Sequence, residues 1–237
     1  MNKVRRRGLI FGVGIPVLVI ALFAISQLGG GSETAAPAVS SNPPAIVEGT
    51  TACPKTDGTQ KRVDTFTDSM KKCIDPAKQY TATFNTSEGT VVVALDARAV
   101  PGTVNNFVAL SRYKYYNGTT IFRTDPSIDI IQGGGFSASD SIGYNIQDEG
   151  GPFTYSEGDL VMARGGTPNS GGAQYFFVTG PKAAALDSQG TYVTFGKVTQ
   201  GLDVIKKIIG LHEATTDGLG GKPSRTVTVK TITIAEQ

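Results

Sequence analysis

Gln174 and Phe176 stand two residues apart, where a loop crowded with Gly, Pro, Asn and Ser gives way to the apolar run 175–178. In an extended strand both side chains point to the same face. An amide beside a phenyl ring makes one wall of an apolar site with a single oriented hydrogen bond. The plainer alternative is a core phenylalanine next to a solvated glutamine. The segment 121–136 adds Arg123 and Gln132, a cation and a second amide close to a run of glycines. Such a set can hold and polarise a neutral group. Other chemistries lack their residues. There is no G-x-S-x-G, no Walker loop and no zinc signature, and the single histidine is His212.

The elements that must carry these residues read mainly as strands. Runs rich in β-formers lie at 80–85, 90–95, 119–123, 128–132, 160–163, 175–179, 192–198 and 226–234. In the last run the apolar phase shifts from Val227 and Val229 to Ile232 and Ile234, which predicts a β-bulge or a twist near Lys230. A helix is expected from Pro101, with Thr103 as N-cap and Val104, Phe107, Val108 and Ser111 on one face. A second follows Gly201, with Leu202, Ile205, Ile208 and Ile209 sharing a stripe. About eight strands and two helices, without repeats or parallel βαβ units, favour a closed antiparallel barrel, because closure removes sheet edges.

The segments TVNNFVAL (103–110), Gly118 with IFR (121–123), IQGG (131–134), LVMA (160–163), GAQYFFV (172–178) and VTFGKV (193–198) resemble the cyclophilin-type peptidyl-prolyl isomerases in order and spacing. The resemblance covers about residues 80–235, nearly the whole of the expected domain at 80–237. It implies a mainly-β fold: an eight-stranded antiparallel barrel capped by two α-helices, with a proline-binding groove on its outer face. It also implies isomerisation of X-Pro bonds, with no cofactor and no metal. By that resemblance Arg123 is the catalytic arginine, Gln132 orients it and the substrate backbone, and Phe176, Met162 and Leu186 form the proline pocket with Gln174 on its rim. Phe122, Ile128, Ile130, Arg164, Gly165 and Tyr192 complete the expected substrate-binding set.

Several residues depart from the family pattern. Phe122 stands where histidine is common, and 124–130 carries one additional residue and lacks an expected aromatic. Ile130 replaces a methionine, Arg164-Gly165 replaces Asn-Ala, Ala185 stands in place of Trp, and Tyr192 in place of His. The lost ring area predicts proline binding weaker by about 1–2 kcal/mol at ~25 cal/mol per Å², altered turnover and poor binding of cyclosporin-type inhibitors. Two functions therefore stand side by side: an isomerase assisting exported proteins, and a peptide-binding or chaperone module with little turnover.

The amino end sets the location. Basic residues in 1–8 precede an uncharged apolar run at 9–28, about 20 residues and long enough to span a bilayer. With no basic residue after it until Lys55, the positive-inside rule places the N-terminus in the cytoplasm and the domain outside. A cleaved signal peptide, with a small-x-small site at 24–26, is the competing reading, and either exports the domain. Residues 29–49, rich in Gly, Ser, Thr, Ala and Pro, read as a disordered tether. In the extension at 50–79, the two cysteines Cys53 and Cys73 are expected to pair as a disulfide outside the cytoplasm. The expected partners are proline-containing segments of unfolded exported proteins. A formal net charge of +2 over 237 residues gives no footprint for nucleic acid, and a monomeric domain is the default.

Overall fold

Strict alternation of buried and half-exposed side chains builds the first hairpin. β1 (Tyr80–Thr86) buries Tyr80, Ala82, Phe84 and Thr86, and β2 (Thr90–Leu95) buries Val91, Val93 and Leu95. The chain continues through α1 (Pro101–Arg112), β3 (Thr119–Asp125), β4 (Ile130–Gly135), β5 (Asp159–Met162) and β6 (Tyr175–Val178). A 3-10 helix (Pro181–Leu186), β7 (Thr194–Gln200), α2 (Leu202–Ile209), β8 (His212–Ala214), β9 (Gly221–Pro223) and β10 (Val227–Glu236) complete it. This is a computed structural model, and it describes residues 44–216 and 218–237.

The strand order β10-β1-β2-β7-β5-β6-β4-β3 is antiparallel throughout, and β10 pairs back onto β3. The expected eight-stranded barrel is therefore closed. Its interior is filled by rings. Phe107 of α1 packs against Phe84, Tyr116, Tyr175 and Phe195 at centroid distances of 5.1–6.2 Å. The bulge expected in the last strand falls at Lys230: Asn85 faces Thr231 while Thr86 faces Val229, leaving the exposed Lys230 as the extra residue.

Three details differ from the sequence reading. The β8–β9 hairpin, unforeseen, hangs outside the barrel on β3 through the pair Thr124–Gly221. Ile128 lies in a turn ahead of β4, because Asp129 sits at φ 48° and cannot extend the ladder. Thr103 is not the N-cap of α1. Pro101, whose fixed φ suits a first helical turn, is the first helical residue, so the cap position falls on Val100, three residues before Thr103. The orphan donors then go to a remote carboxylate: Glu149 accepts from the N–H groups of Gly102 (2.9 Å) and Thr103 (2.6 Å) and from the Thr103 hydroxyl (2.8 Å). α2 begins where expected. Gly201 at φ 83° precedes it, and a Cβ there would meet the Thr90 carbonyl, so the position requires glycine.

The extension ahead of β1 docks as a collar over α1. Phe66, Met70 and Ile74 join the interior cluster. The Cys73 N–H donates to Asn105 Oδ1 (2.7 Å), Asn105 Nδ2 donates to the Lys71 carbonyl (3.0 Å), and the Tyr113 hydroxyl to the Ala52 carbonyl (2.7 Å). Cys53 and Cys73 are bonded, with a sequence separation of 20. In the chain-entropy treatment such a closure stabilises by about 3 kcal/mol. Urea unfolding with and without reductant is expected to differ by that amount, with the collar leaving α1 first. The apolar run at 9–28 and the tether to residue 43 lie outside the described residues, within which no helix is long and apolar enough to cross a membrane.

One ion cluster couples the β1–β2 turn to α2. Glu88 accepts from Arg225 Nε (3.0 Å) and Nη2 (2.8 Å) and pairs with Lys207 Nζ at 2.9 Å. The hydrogen bonds from Arg225 and Lys207 bring its carboxyl down to about 2. A carboxyl lowered by folding stabilises above its unfolded value and loses that contribution as pH falls through its folded one. Stability should therefore decline from about pH 5 toward pH 2. Because both cations are half exposed, the share due to Glu88 is about 1 kcal/mol. Glu88→Gln is expected to flatten this part of the acid unfolding profile, as is high salt.

Candidate active site

A single residue turns the arginine outward. Ile121 of β3 faces Gly133 of β4 and Arg123 faces Gln132, so Phe122 is an extra residue in the ladder. Without this bulge Arg123 would share the inward phase of Ile121, which lies in the interior cluster. With it, Arg123, Gln132, Phe176 and Val161 follow one another at paired positions of β3, β4, β6 and β5. They form one row across the outer face of the barrel.

The arginine is firmly held. Its Nε donates to the Leu219 carbonyl (2.6 Å), Nη1 to Gln132 Oε1 (3.0 Å) and Nη2 to Asp125 Oδ2 (2.8 Å). A guanidinium carries five N–H donors, so one N–H on each Nη remains to meet a ligand. Leu219 belongs to the β8–β9 turn, which explains the extra hairpin: it supplies the acceptor that fixes Nε. Gly220, at φ 92°, lets that turn approach, since a Cβ there would meet the Asp125 carboxylate at 2.8 Å. Gln132 in turn donates from Nε2 to Gln174 Oε1 (2.9 Å).

Beside this polar row lies a second apolar cluster on the outside of the sheet. Ile130, Tyr155, Val161, Phe176, Val178, Ala183, Leu186 and Tyr192 build it, with Ile128 and Ala163 packed at its margin. The Phe176 ring meets Tyr192 edge-on at 5.7 Å and Tyr155 at 6.5 Å, leaving it 3% exposed. Arg164 lays its guanidinium over the Tyr192 ring at 5.6 Å and donates from Nη1 to the Thr167 carbonyl at 2.7 Å. Gly165 is exposed in the loop that follows.

Most residues expected at the site converge here: Arg123, Gln132, Gln174, Phe176, Ile128, Ile130, Leu186, Tyr192 and Arg164. Two do not. Met162 belongs to the interior cluster, because strand alternation gives its neighbour Val161 the outer position. Phe122 is half-buried and joins neither cluster, so its part is positional.

Tyr155 and Asp125 escaped the sequence reading. Tyr155 sits in a loop without periodicity. Its hydroxyl donates to the Tyr192 carbonyl (3.1 Å) and accepts from the Tyr192 N–H (2.9 Å), and burial pushes it up to about 12. Asp125 was legible in principle, since two residues along a strand from Arg123 is the same face.

Two hollows, of about 240 and 360 Å³, lie elsewhere, lined by residues such as Arg62, Tyr115 and Phe136 or Leu95, Thr194 and Lys197. Neither joins a fixed cation to an apolar floor. The arrangement suited to chemistry is the shallow outer face, where a fixed guanidinium with spare donors borders packed rings.

Known proteins resemble this chain in sequence and in fold. The family model for cyclophilin type peptidyl-prolyl cis-trans isomerase/CLD matches residues 81–234. A peptidyl-prolyl cis-trans isomerase of Streptomyces antibioticus is 34% identical over 163 residues, covering 65% of this chain and 98% of that relative. Peptidyl-prolyl cis-trans isomerase B of Escherichia coli is 30% identical over 166 residues, 65% of this chain and 99% of the relative. Among solved structures, a Cryptosporidium parvum cyclophilin type isomerase superposes with a TM-score of 0.58 at 27% identity, over 67% of this chain and 99% of that one. A second structure of that protein, with the same TM-score and identity over 66% of this chain, was determined in the presence of the dipeptide Ala-Pro. With its barrel, its arginine row and its match over residues 81–234, this chain belongs to the cyclophilin-type peptidyl-prolyl cis-trans isomerase family.

Proposed function

We propose that the outer face around Arg123 isomerises X-Pro bonds in exported proteins, from a domain tethered outside the membrane by the N-terminal segment. An amide resists rotation by about 18–20 kcal/mol because the nitrogen lone pair is delocalised. As the bond twists, that pair localises on nitrogen and becomes a hydrogen-bond acceptor. A guanidinium N–H aimed at it binds the twisted state and not the planar one, and each ~1.4 kcal/mol of that preference is a tenfold rate gain. No bond forms or breaks, so no nucleophile or general base is needed. The rings around Phe176 hold the pyrrolidine against rotation while the preceding residue turns.

The observation that carries this reading is the Arg123–Gln132 hydrogen bond of 3.0 Å on the same face as Phe176. The test is a protease-coupled prolyl-peptide assay on the intact chain against its Arg123→Ala variant. Equal slow rates would leave only a peptide-binding module. That second reading draws on two facts: Phe176 is nearly sealed by tyrosines, and Asp125 already pairs with the guanidinium at 2.8 Å. The extracytoplasmic location rests on the basic residues before the 9–28 apolar run and on the Cys53–Cys73 bond. Protease shaving of intact cells checks it, since a domain on the cytoplasmic side would survive.

A further inference from the structure

We propose that Asp140 is a positioning residue for the isomerase site, acting through the 136–140 loop on the Gln174 amide and from there on Arg123. The inference rests on the isomerase reading above for its functional consequence, but the contacts stand by themselves.

Gln174 Nε2 donates into a nest of backbone carbonyls: Ala138 O at 3.0 Å, Asp140 O at 3.2 Å and Ser137 O at 3.5 Å. Three acceptors around one atom require that atom to be the NH2 end of the amide. Its oxygen then points the other way and accepts from Gln132 Nε2 at 2.9 Å, which leaves Gln132 Oε1 to accept from Arg123 Nη1 at 3.0 Å. The polarity of both amides is therefore set at the loop and read out at the guanidinium. Were Gln174 reversed, its oxygen would face three carbonyl oxygens, and Gln132 would turn an N–H toward an arginine that cannot accept it.

The loop owes its shape to Asp140. Apolar burial does not hold it, because its one large apolar residue, Phe136, is 56% exposed. The Asp140 carboxylate instead accepts from the Phe136 N–H at 2.6 Å and from the Ser137 hydroxyl at 2.7 Å, drawing the turn into the conformation that presents its carbonyls inward. Beyond the turn, Ile142 O accepts from the Phe66 N–H of the collar at 3.1 Å. Asp140 touches neither Arg123 nor the apolar cluster, so its effect is through orientation.

The test combines kinetics with the Gln174 side-chain amide resonances of the intact chain labelled with 15N-glutamine. In the wild type these protons are expected to exchange more slowly than those of a free glutamine. Asp140→Ala, which removes both carboxylate acceptors where Asn would keep an amide oxygen for the Phe136 N–H, should abolish that protection and lower kcat/KM about tenfold, with KM unchanged and the thermal midpoint little altered. On a Gln174→Leu background the same substitution should have no further effect on kcat. Should Asp140→Ala fail to fold, Ser137→Ala removes the hydroxyl contact to the carboxylate alone and is expected to move both readouts in the same direction by less. A folded Asp140→Ala variant with unchanged Gln174 exchange overturns the proposal, and so does a kcat loss that persists in full on the Gln174→Leu background. An inactive wild type would instead overturn the isomerase reading, while amide exchange still decides what orients Gln174.

Discussion

Arg123→Ala is expected to lower kcat/KM for a prolyl peptide by about 10²–10³-fold, the usual cost of deleting one preorganised donor to a transition state. The loss should appear in kcat, since a planar X-Pro amide offers the arginine no localised lone pair. The substitution also strands Asp125, a buried carboxylate whose guanidinium partner lies 2.8 Å away, and an unpaired buried charge destabilises the fold. The double variant Arg123→Ala/Asp125→Asn separates the two effects. It should recover thermal stability and stay as slow as the single variant. If the single variant keeps wild-type kcat, the assignment of Arg123 fails. Arg123→Lys should fall short as well, because an ammonium cannot reach the Leu219 carbonyl, Gln132 and Asp125 with one planar fork.

The largest effect on stability is expected from Phe107→Ala. Phe107 is 0% exposed and contacts Phe84, Tyr116, Tyr175 and Phe195, so it joins α1 to rings from β1, β6 and β7 and the segment after α1. Removing such a ring from a packed interior costs about 3–5 kcal/mol, which for a domain of this size corresponds to a fall of about 6–20 °C in thermal midpoint. Tyr175 and Phe176 are neighbours on β6 facing opposite sides of the sheet. A cavity beside Tyr175 should therefore loosen the strand that presents Phe176, and peptide affinity should weaken before unfolding. Calorimetry and peptide titration on the same variant check both. A midpoint within a degree of wild type would mean that the interior closes over the space.

The relation between chain and fold is clearest where the prediction needed only periodicity. The barrel strands, α2 and the bulge at Lys230 follow from alternation and helical spacing, which are local properties of the chain. Thr103 does not cap α1, because the capping carboxylate, Glu149, comes from a loop 46 and 47 residues away. The family resemblance puts Met162 at the pocket, whereas strand alternation turns it inward and gives the outer position to Val161. Tyr155 was missed because its role depends on which strands its loop crosses, and no period records that.

From the sequence alone came the family, the closed barrel, the pairing of Cys53 with Cys73 and the grouping of Arg123 with Gln132, Gln174 and Phe176. These are carried by residue type and spacing, which survive in one dimension. The fold decided the rest: the turn of Arg123 to the outer face, its clamping by Leu219 and Asp125, the sealing of Phe176 under two tyrosines, and the loop that orients Gln174. Asp125 and the bulge at Phe122 are neighbours of Arg123 in the chain, but the other contacts join atoms distant in sequence at about 3–6.5 Å, and only closure of the barrel brings them together.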